Sequence, residues 1–476
     1  MKLVYNVNDK PKFGQILVFA LQQLLAIMAA TIVVPRIIGN GMSEVAALFG
    51  AGVGTLVYLL FTKFKSPVFL GSSFAFLSSM AAAFTGAITV AAGYAGLIIG
   101  AALAGLTYVV FALIIKACGT GWVNKLLPPV VIGPTVAIIG LVLAGPAIQD
   151  LLHGATAIND PNQFSKFIGL VVGCVALGTT IACSVYGKKM VKMIPFVIGI
   201  GAGYLVATIF TIIGKVSGND QLLIIDFSKF NHIAWLPDFT FVTAFKGFKD
   251  LAESGKFLQY LLTITSAYVP VAFVVFAEHI ADHKNLSSII EKDLLEDPGL
   301  SNTLLGDGVG SMAGAFFGGC PNTTYGESVG CVAISGNASI VTIFTTAIMA
   351  ILISFFGPFS TFLSTIPNCV MGGVCIALYG FISVSGLKML QGVDLNDNTN
   401  LFVVSVILIV GVGTKAAFDH IALQLGTVTI DITAVAFALF LGILTNLLCK
   451  KARKSASASK EVEEAKEPEQ AEATNE

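Results

Sequence analysis

Fourteen apolar runs, most of them on the order of the 20 residues that a membrane-crossing helix needs, recur along this chain between residues 14 and 449. In hydrocarbon a backbone finds no water, so a crossing segment must satisfy its own hydrogen bonds, and the runs are read as helices. They fall near 14–34, 43–62, 67–87, 91–115, 127–146, 167–186, 194–214, 258–281, 301–319, 322–336, 340–358, 367–386, 400–416 and 431–449. Charged residues make up only 12% of the 476, against roughly 25% in soluble proteins. The chain is therefore an integral membrane protein. A formal net charge of −1 gives no reason to expect a nucleic-acid partner.

Charge places the loops. With both termini on the cytoplasmic side, 19 of the 27 Lys and Arg residues fall inside, among them Lys63, Lys65, Lys188, Lys189 and Lys192. An even number of spans and cytoplasmic termini follow from the positive-inside rule. The start, MKLVYNVNDKPKFGQ, is too polar for a signal peptide, so the first span is expected to stay. The tail from Lys450 to Glu476, basic and then acidic, is expected to be disordered in the cytoplasm. Eight cysteines lie mostly within or at the ends of runs, with no CxxC and no His at ligand spacing, and read as small packing residues.

A long outside segment, 215–257, divides the chain into seven runs before and seven after. Seven is odd, so the second half inserts upside down relative to the first, as in many transporters. Faint repeats agree: GAGVGT at 50–55 with GDGVGS at 306–311, and PPVVIG at 128–133 with PNCVMG at 367–372. Each GxGVG also precedes an irregular polar stretch, GSSFAF at 71–76 or PNTTYGE at 321–327.

These two stretches cannot be ordinary lipid-facing helix. Non-helical backbone at membrane depth is tolerated only where protein buries it or a cavity meets it. They read as extended backbone leading into half-helices, whose free amides and positive ends form a polar pocket with Phe74, Phe76 and Tyr325 as aromatic faces. Carboxylates in or beside apolar runs, Glu278, Asp282, Asp307 and Glu327, have no Lys or Arg at their depth. Such residues mark functional sites, and a carboxyl kept from water can carry a proton. Glu278 and Asp282 are four apart and share a helix face; His279 and His283 lie on the adjacent face and read as structural. No GxxxxGK[ST] string is present, the GxGxG strings sit within spans, and no nucleophile–base pair or metal cluster is evident. No metal, cofactor or enzymatic activity is expected.

LGSSFAF, AEHIADHKN, GDGVGSMAGAFFGGCPNTTYGESVG and IPNCVMGGVCIALYG resemble the nucleobase–ascorbate (nucleobase:cation symporter-2) transporters, most closely their bacterial uracil-type branch, over roughly residues 10–450. The resemblance implies an all-α polytopic fold of fourteen transmembrane segments in two inverted seven-span repeats, with short β-strands in spans 3 and 10. It implies a cytoplasmic N-terminus (1–13), core spans 1–4 (14–115) and 8–11 (258–358), and gate spans 5–7 (127–214) and 12–14 (367–449). The gate would form a homodimer interface in the bacterial cytoplasmic membrane. Glu278 and Glu327 would hydrogen-bond a nucleobase, the amides of Phe74 and Gly326 would meet its carbonyls, and Tyr379 would contact it from the gate. Uracil would enter with a proton, held by Glu278, Asp282 or Glu327 and driven by the proton gradient. Gln23, Ser73, Tyr325 and Ser328 would support the site. Three positions depart from the family: Gln22-Gln23 where Gln-His is common, Asp282 where uracil permeases can carry His, and Ser328 and Ser335 where Asn and Thr are usual. The alternatives are a purine permease, for xanthine or urate, and an anion transporter of the related sulfate-transporter architecture.

Overall fold

Every one of the fourteen runs carries helix in the computed structural model, which describes residues 3–188, 190–418, 420–425 and 428–449. The tail expectation for Lys450–Glu476 falls outside the described residues, as do Lys2 and Lys189 of the charge count. The first half runs α1 (Phe13–Ile38), α2 (Glu44–Phe61), β1 (Leu70–Ser72), α3 (Leu77–Thr85), α4 (Val90–Cys118), α5 (Gly121–Leu126), α6 (Pro129–Val142), α7 (Ala144–His153), a hairpin of β2 (Thr156–Ala157) and β3 (Asp160–Phe164), α8 (Lys166–Tyr186), α9 (Met190–Met193) and α10 (Pro195–Ser217). The connector between the two halves holds α11 (Thr240–Ser254). The second half runs α12 (Phe257–Ile290), α13 (Leu300–Gly318), β4 (Asn322–Thr324), α14 (Gly326–Ser335), α15 (Ile340–Ile353), α16 (Gly357–Thr365), α17 (Asn368–Lys388), α18 (Asn398–Phe418), a hairpin of β5 (His420–Leu425) and β6 (Val428–Thr433), and α19 (Ala434–Cys449).

Local chemistry sets the helix starts. Ser43, Thr89 and Ser165 each accept a hydrogen bond from the amide three residues on, capping α2, α4 and α8. Among the described residues, nine helices are long and apolar enough to cross a membrane, ten if α15 and α16, bent by 82°, count as one. The glycine-rich α13 and the shorter α3, α14 and α19 fall outside that count.

Two features differ from the sequence reading. The run at 258–281 continues as helix to Ile290, so Glu278 and Asp282 lie within α12 rather than at its end. Polar residues of its last turns stay helical until Glu291, in a left-handed conformation (φ 54°), ends it. The loop read between 416 and 431 holds the antiparallel β5–β6 hairpin, Ile421 opposite Ile432 and Leu423 opposite Ile430. Its β-branched residues, alternating with polar ones, favour a pleated surface.

Packing forms two groups. In one, α13 lies along α2 and α4, α12 and α11 pack on α4, and α15 joins α1 and α2; in the other, α17 packs on α6, α7 and α8, with α10 on α8 and α18 on α6. Glycine permits the closest crossings. A Cβ at Gly54 would lie 2.7 Å from the carbonyl oxygen of Gly310, and one at Gly310 would lie 2.7 Å from that of Gly54. These glycines hold the same place in GAGVGT and GDGVGS, so the two copies of the sequence repeat face each other.

Loops assigned to one side touch one another. The N-terminal segment pairs with the α14–α15 turn through Tyr5 and Asn337. Lys65 and Lys292 meet Asp297 at 2.6 and 3.0 Å, and their hydrogen bonds hold that exposed carboxyl below the ordinary carboxylate range. On the opposite side Thr89 bonds Asp250 at 2.8 Å, and Lys229 bonds the carbonyl of Ser364 at 2.8 Å.

Crowding at the α2–α13 crossing makes a prediction. Gly310→Ala should lower the thermal unfolding midpoint of the purified protein by several degrees, an overpacking cost of about 1–3 kcal/mol. Gly201→Ala, where an added Cβ meets nothing within 4 Å, should leave the midpoint unchanged or raise it. Equal midpoints for the two variants would contradict this packing.

Candidate functional site

The two broken segments meet. Strands β1 and β4 pair antiparallel, with Leu70 opposite Thr324, Gly71 opposite Thr323 and Ser72 opposite Asn322. The Ser73 amide extends the ladder to the carbonyl of Pro321 at 2.9 Å. Pairing gives each extended segment the hydrogen bonds that a helix would otherwise supply. Side chains hold the pair from outside. Thr55 Oγ1 accepts from the Leu70 amide at 2.9 Å, and Asn322 Nδ2 donates to the Gly50 carbonyl at 3.1 Å.

From this pair the chain enters α3 on one side and α14 on the other. The first amides of a helix have no intrahelical acceptor. Here those of α14 begin at Gly326, which is exposed within an otherwise buried stretch. The Phe74 amide, just before α3, likewise has no backbone acceptor among the described residues. The α14 end therefore offers N–H donors and a positive dipole end, while the Phe74 amide stands before Phe76, the N-cap of α3.

Carboxylates gather at the same place. Helix α12 packs against β4 and α14. Its Glu278 and Asp282 are half-buried on one face, as is Glu327 in the first turn of α14. Thr324 Oγ1 donates to Asp282 Oδ2 at 2.8 Å. The other oxygen of Asp282 would lie 3.7 Å from a Cβ placed on Gly326. Asp282, Glu327 and the more deeply buried Asp307 are all within electrostatic reach of Glu278. From the second helix group, Tyr379 of α17 sets its ring edge-on to Phe74, centroids 5.6 Å apart.

The supporting residues form their own frame. Gln23 Nε2 of α1 donates to Ser328 Oγ at 2.6 Å, and the Phe69 amide donates to the same oxygen at 3.1 Å. Ser73 is fully buried. Tyr325 does not present a free ring: it lies across Gly71, where a Cβ would collide with it, and donates to the Ser72 carbonyl at 2.8 Å. Phe76 stacks on Tyr268 at 5.5 Å. Of the three aromatic faces read from the sequence, Phe74 alone is set against a ring of the second group.

Asp307 turns its carboxylate to His279. It is fully buried, with Oδ2 2.7 Å from His279 Nδ1, while His279 Nε2 is 3.0 Å from Thr303 Oγ1. His283 Nε2 lies 2.7 Å from the Tyr58 hydroxyl. Both histidines thus bond α12 to α2 and α13, the structural role read for them. Thr324 was missed by the sequence reading; its place in a strand beside a helix carboxylate depends on how two distant segments meet. Among the described residues no group of three or more His, Cys, Asp or Glu is placed to hold a metal ion.

Ser328 tests the frame. Ser328→Ala leaves Gln23 only the Ser328 carbonyl at 3.4 Å and takes the acceptor of the buried Phe69 amide, at a cost of about 1–3 kcal/mol for that unsatisfied group. Its unfolding midpoint should fall below that of Ser335→Ala, and an equal midpoint would contradict the frame.

The chain matches the profile of a Permease family (Xan_ur_permease) over residues 14–420. A uracil permease of Bacillus caldolyticus is 38% identical over 449 residues, 94% of this chain and 95% of that one. A uracil permease of Bacillus subtilis (strain 168) is 36% identical over 95% of this chain and 96% of that one. The solved transmembrane domain of a cyanobacterium bicarbonate transporter superposes with a TM-score of 0.62 at 14% identity, over 93% of this chain and all of that domain. At that identity the likeness shows a shared fold alone.

Proposed function

The chain belongs to this Permease family, the nucleobase:cation symporter-2 transporters, and from that premise we propose that it imports uracil with a proton by alternating access. It is a transporter and not an enzyme, a multi-pass protein of a bacterial membrane. The substrate reading is supported by the gathering of half-buried Glu278, Asp282 and Glu327 at the start of α14, where Thr324 bonds Asp282 and Gly326 is exposed.

Uracil is flat and carries ring N–H donors and carbonyl acceptors. Glu278 and Glu327 accept its N–H groups, and the Phe74 and Gly326 amides donate to its carbonyls. Phe74 and Tyr379 border the ring. One of Glu278, Asp282 and Glu327 carries the proton, since three carboxylates this close cannot all stay charged without a cation.

The fourteen helical runs are taken as fourteen spans in two inverted repeats, with both termini cytoplasmic. The facing glycines Gly54 and Gly310 support that symmetry. The helix group holding the carboxylates is the core and the group around α17 is the gate. Between them, on the outer side, lies a cavity of about 360 Å³ bordered by Ile38, Asn40, Leu77, Ser78, Pro146 and Lys415. Movement of core against gate would open and close such a space. The homodimer implied by the family would be formed by the gate.

The relatives' names favour uracil over xanthine or urate. Three carboxylates, with no cation bonded to them among the described residues, argue against an anion as cargo, despite the fold shared with a bicarbonate transporter.

Glu278→Gln and Glu327→Gln should each abolish uracil uptake in cells, at least a hundredfold, with the protein still folded in the membrane. Wild-type uptake by either would refute the site. A protonophore should collapse uracil accumulation, whereas replacing sodium by choline should leave it unchanged. Sodium dependence would overturn the proton assignment.

A further inference from the structure

Arg36 is one of only two arginines in the sequence, the other being Arg453 in the tail. It stands in the last turn of α1, where a cation favourably meets its own helix's carbonyl end. Its donors go elsewhere. Nε donates to Asn368 Oδ1 at 3.0 Å, one terminal nitrogen to the Leu363 carbonyl at 3.4 Å, and the other to the Ile366 carbonyl. Leu363 lies in the last turn of α16, Ile366 ends that helix, and Asn368 begins α17. A single half-buried guanidinium thus joins α1, of the carboxylate-bearing group, to the joint at which α17 starts.

Other groups grip the same joint. Lys229 Nζ of the outer connector donates to the Ser364 carbonyl at 2.8 Å. The Tyr204 hydroxyl of α10 lies 2.9 Å from Thr365 Oγ1. The carbonyl end of α16 is therefore capped by two cations, in the orientation its dipole favours. The charges of Glu44 on α2 and Asp150 on α7 both act on Arg36. An arginine that reached for headgroups would spend its donors on phosphate or water. This one spends all three nitrogens on protein, and its planar fork reaches acceptors that a lysine's point charge cannot hold together.

We propose that Arg36 is a positioning residue for transport: it clamps the α16–α17 joint to α1 and so transmits core movement to the helix that carries Tyr379. The proposal rests on the core-and-gate reading above. Polar recognition by Glu278, Glu327, Phe74 and Gly326 resides wholly in the core, so losing the clamp leaves binding intact and slows the cycle.

The test uses the full-length protein in proteoliposomes, with equilibrium binding and initial uptake of labelled uracil, and hydrogen exchange in the absence of substrate. Arg36→Gln should lower uptake at saturating uracil at least tenfold while the dissociation constant stays within threefold. Arg36→Lys should recover part of the uptake, and Lys229→Gln should lose less than Arg36→Gln. In hydrogen exchange, Arg36→Gln should speed the amides of 361–372 at least tenfold and leave 70–77 and 322–330 unchanged. Uptake by Arg36→Gln within twofold of wild type would overturn the clamp. So would a tenfold rise in dissociation constant alongside the lost uptake, or unchanged exchange at 361–372. Wild-type protein that bound no uracil would instead remove the substrate reading, and exchange at the joint would still decide the clamp.

Discussion

Backbone that leaves the helix inside a membrane protein must find other hydrogen-bond partners, and here the two segments that leave it find each other. The β1–β4 pair is three residues long on each side, too short to stand alone. It persists because Thr55, Asn322 and Ser328 bond it to neighbouring helices and Tyr325 bonds one broken segment to the other. Everything at the candidate site follows from that pairing. It ends β4 where α14 begins, so the first amides of α14 lie beside the carboxylates that α12 brings. A continuous helix at that segment would have consumed those amides.

Close glycine crossings make the pairing possible. Gly54 and Gly310 let α2 and α13 approach until backbone meets backbone, and both strands hang from these helices: Thr55 bonds Leu70, and β4 follows α13. The histidines bind α12 to the same frame through Asp307 and Tyr58. This helix group thereby carries the two paired strands and the carboxylates of α12 and α14. The second group offers Tyr379 and, through the α16–α17 joint, a place where the two groups are tied.

Much of this was legible in the sequence, for identifiable reasons. Apolar runs report helices because the membrane allows little else. The interruptions at GSSFAF and PNTTYGE stood out because polar, glycine-rich residues are costly there. Glu278, Asp282 and Glu327 were conspicuous as carboxylates without cations. Contacts between residues far apart in the chain were not legible. Nothing in Thr324 announces a bond to Asp282, and nothing in Arg36 announces a joint some 330 residues on. Tyr325 and Phe76 looked like free aromatic faces, yet both rings are committed to packing. The β5–β6 hairpin was passed over because its alternation is short and borders an apolar run.

The most direct measurement is a structure of the protein determined with uracil bound. The account predicts the ring between Phe74 and Gly326, with its N–H groups on Glu278 and Glu327 and its carbonyls on the Phe74 and Gly326 amides. A ring found instead in the outer cavity beside Asn40 and Lys415, or density at Gly326 without contact to either glutamate, would contradict it.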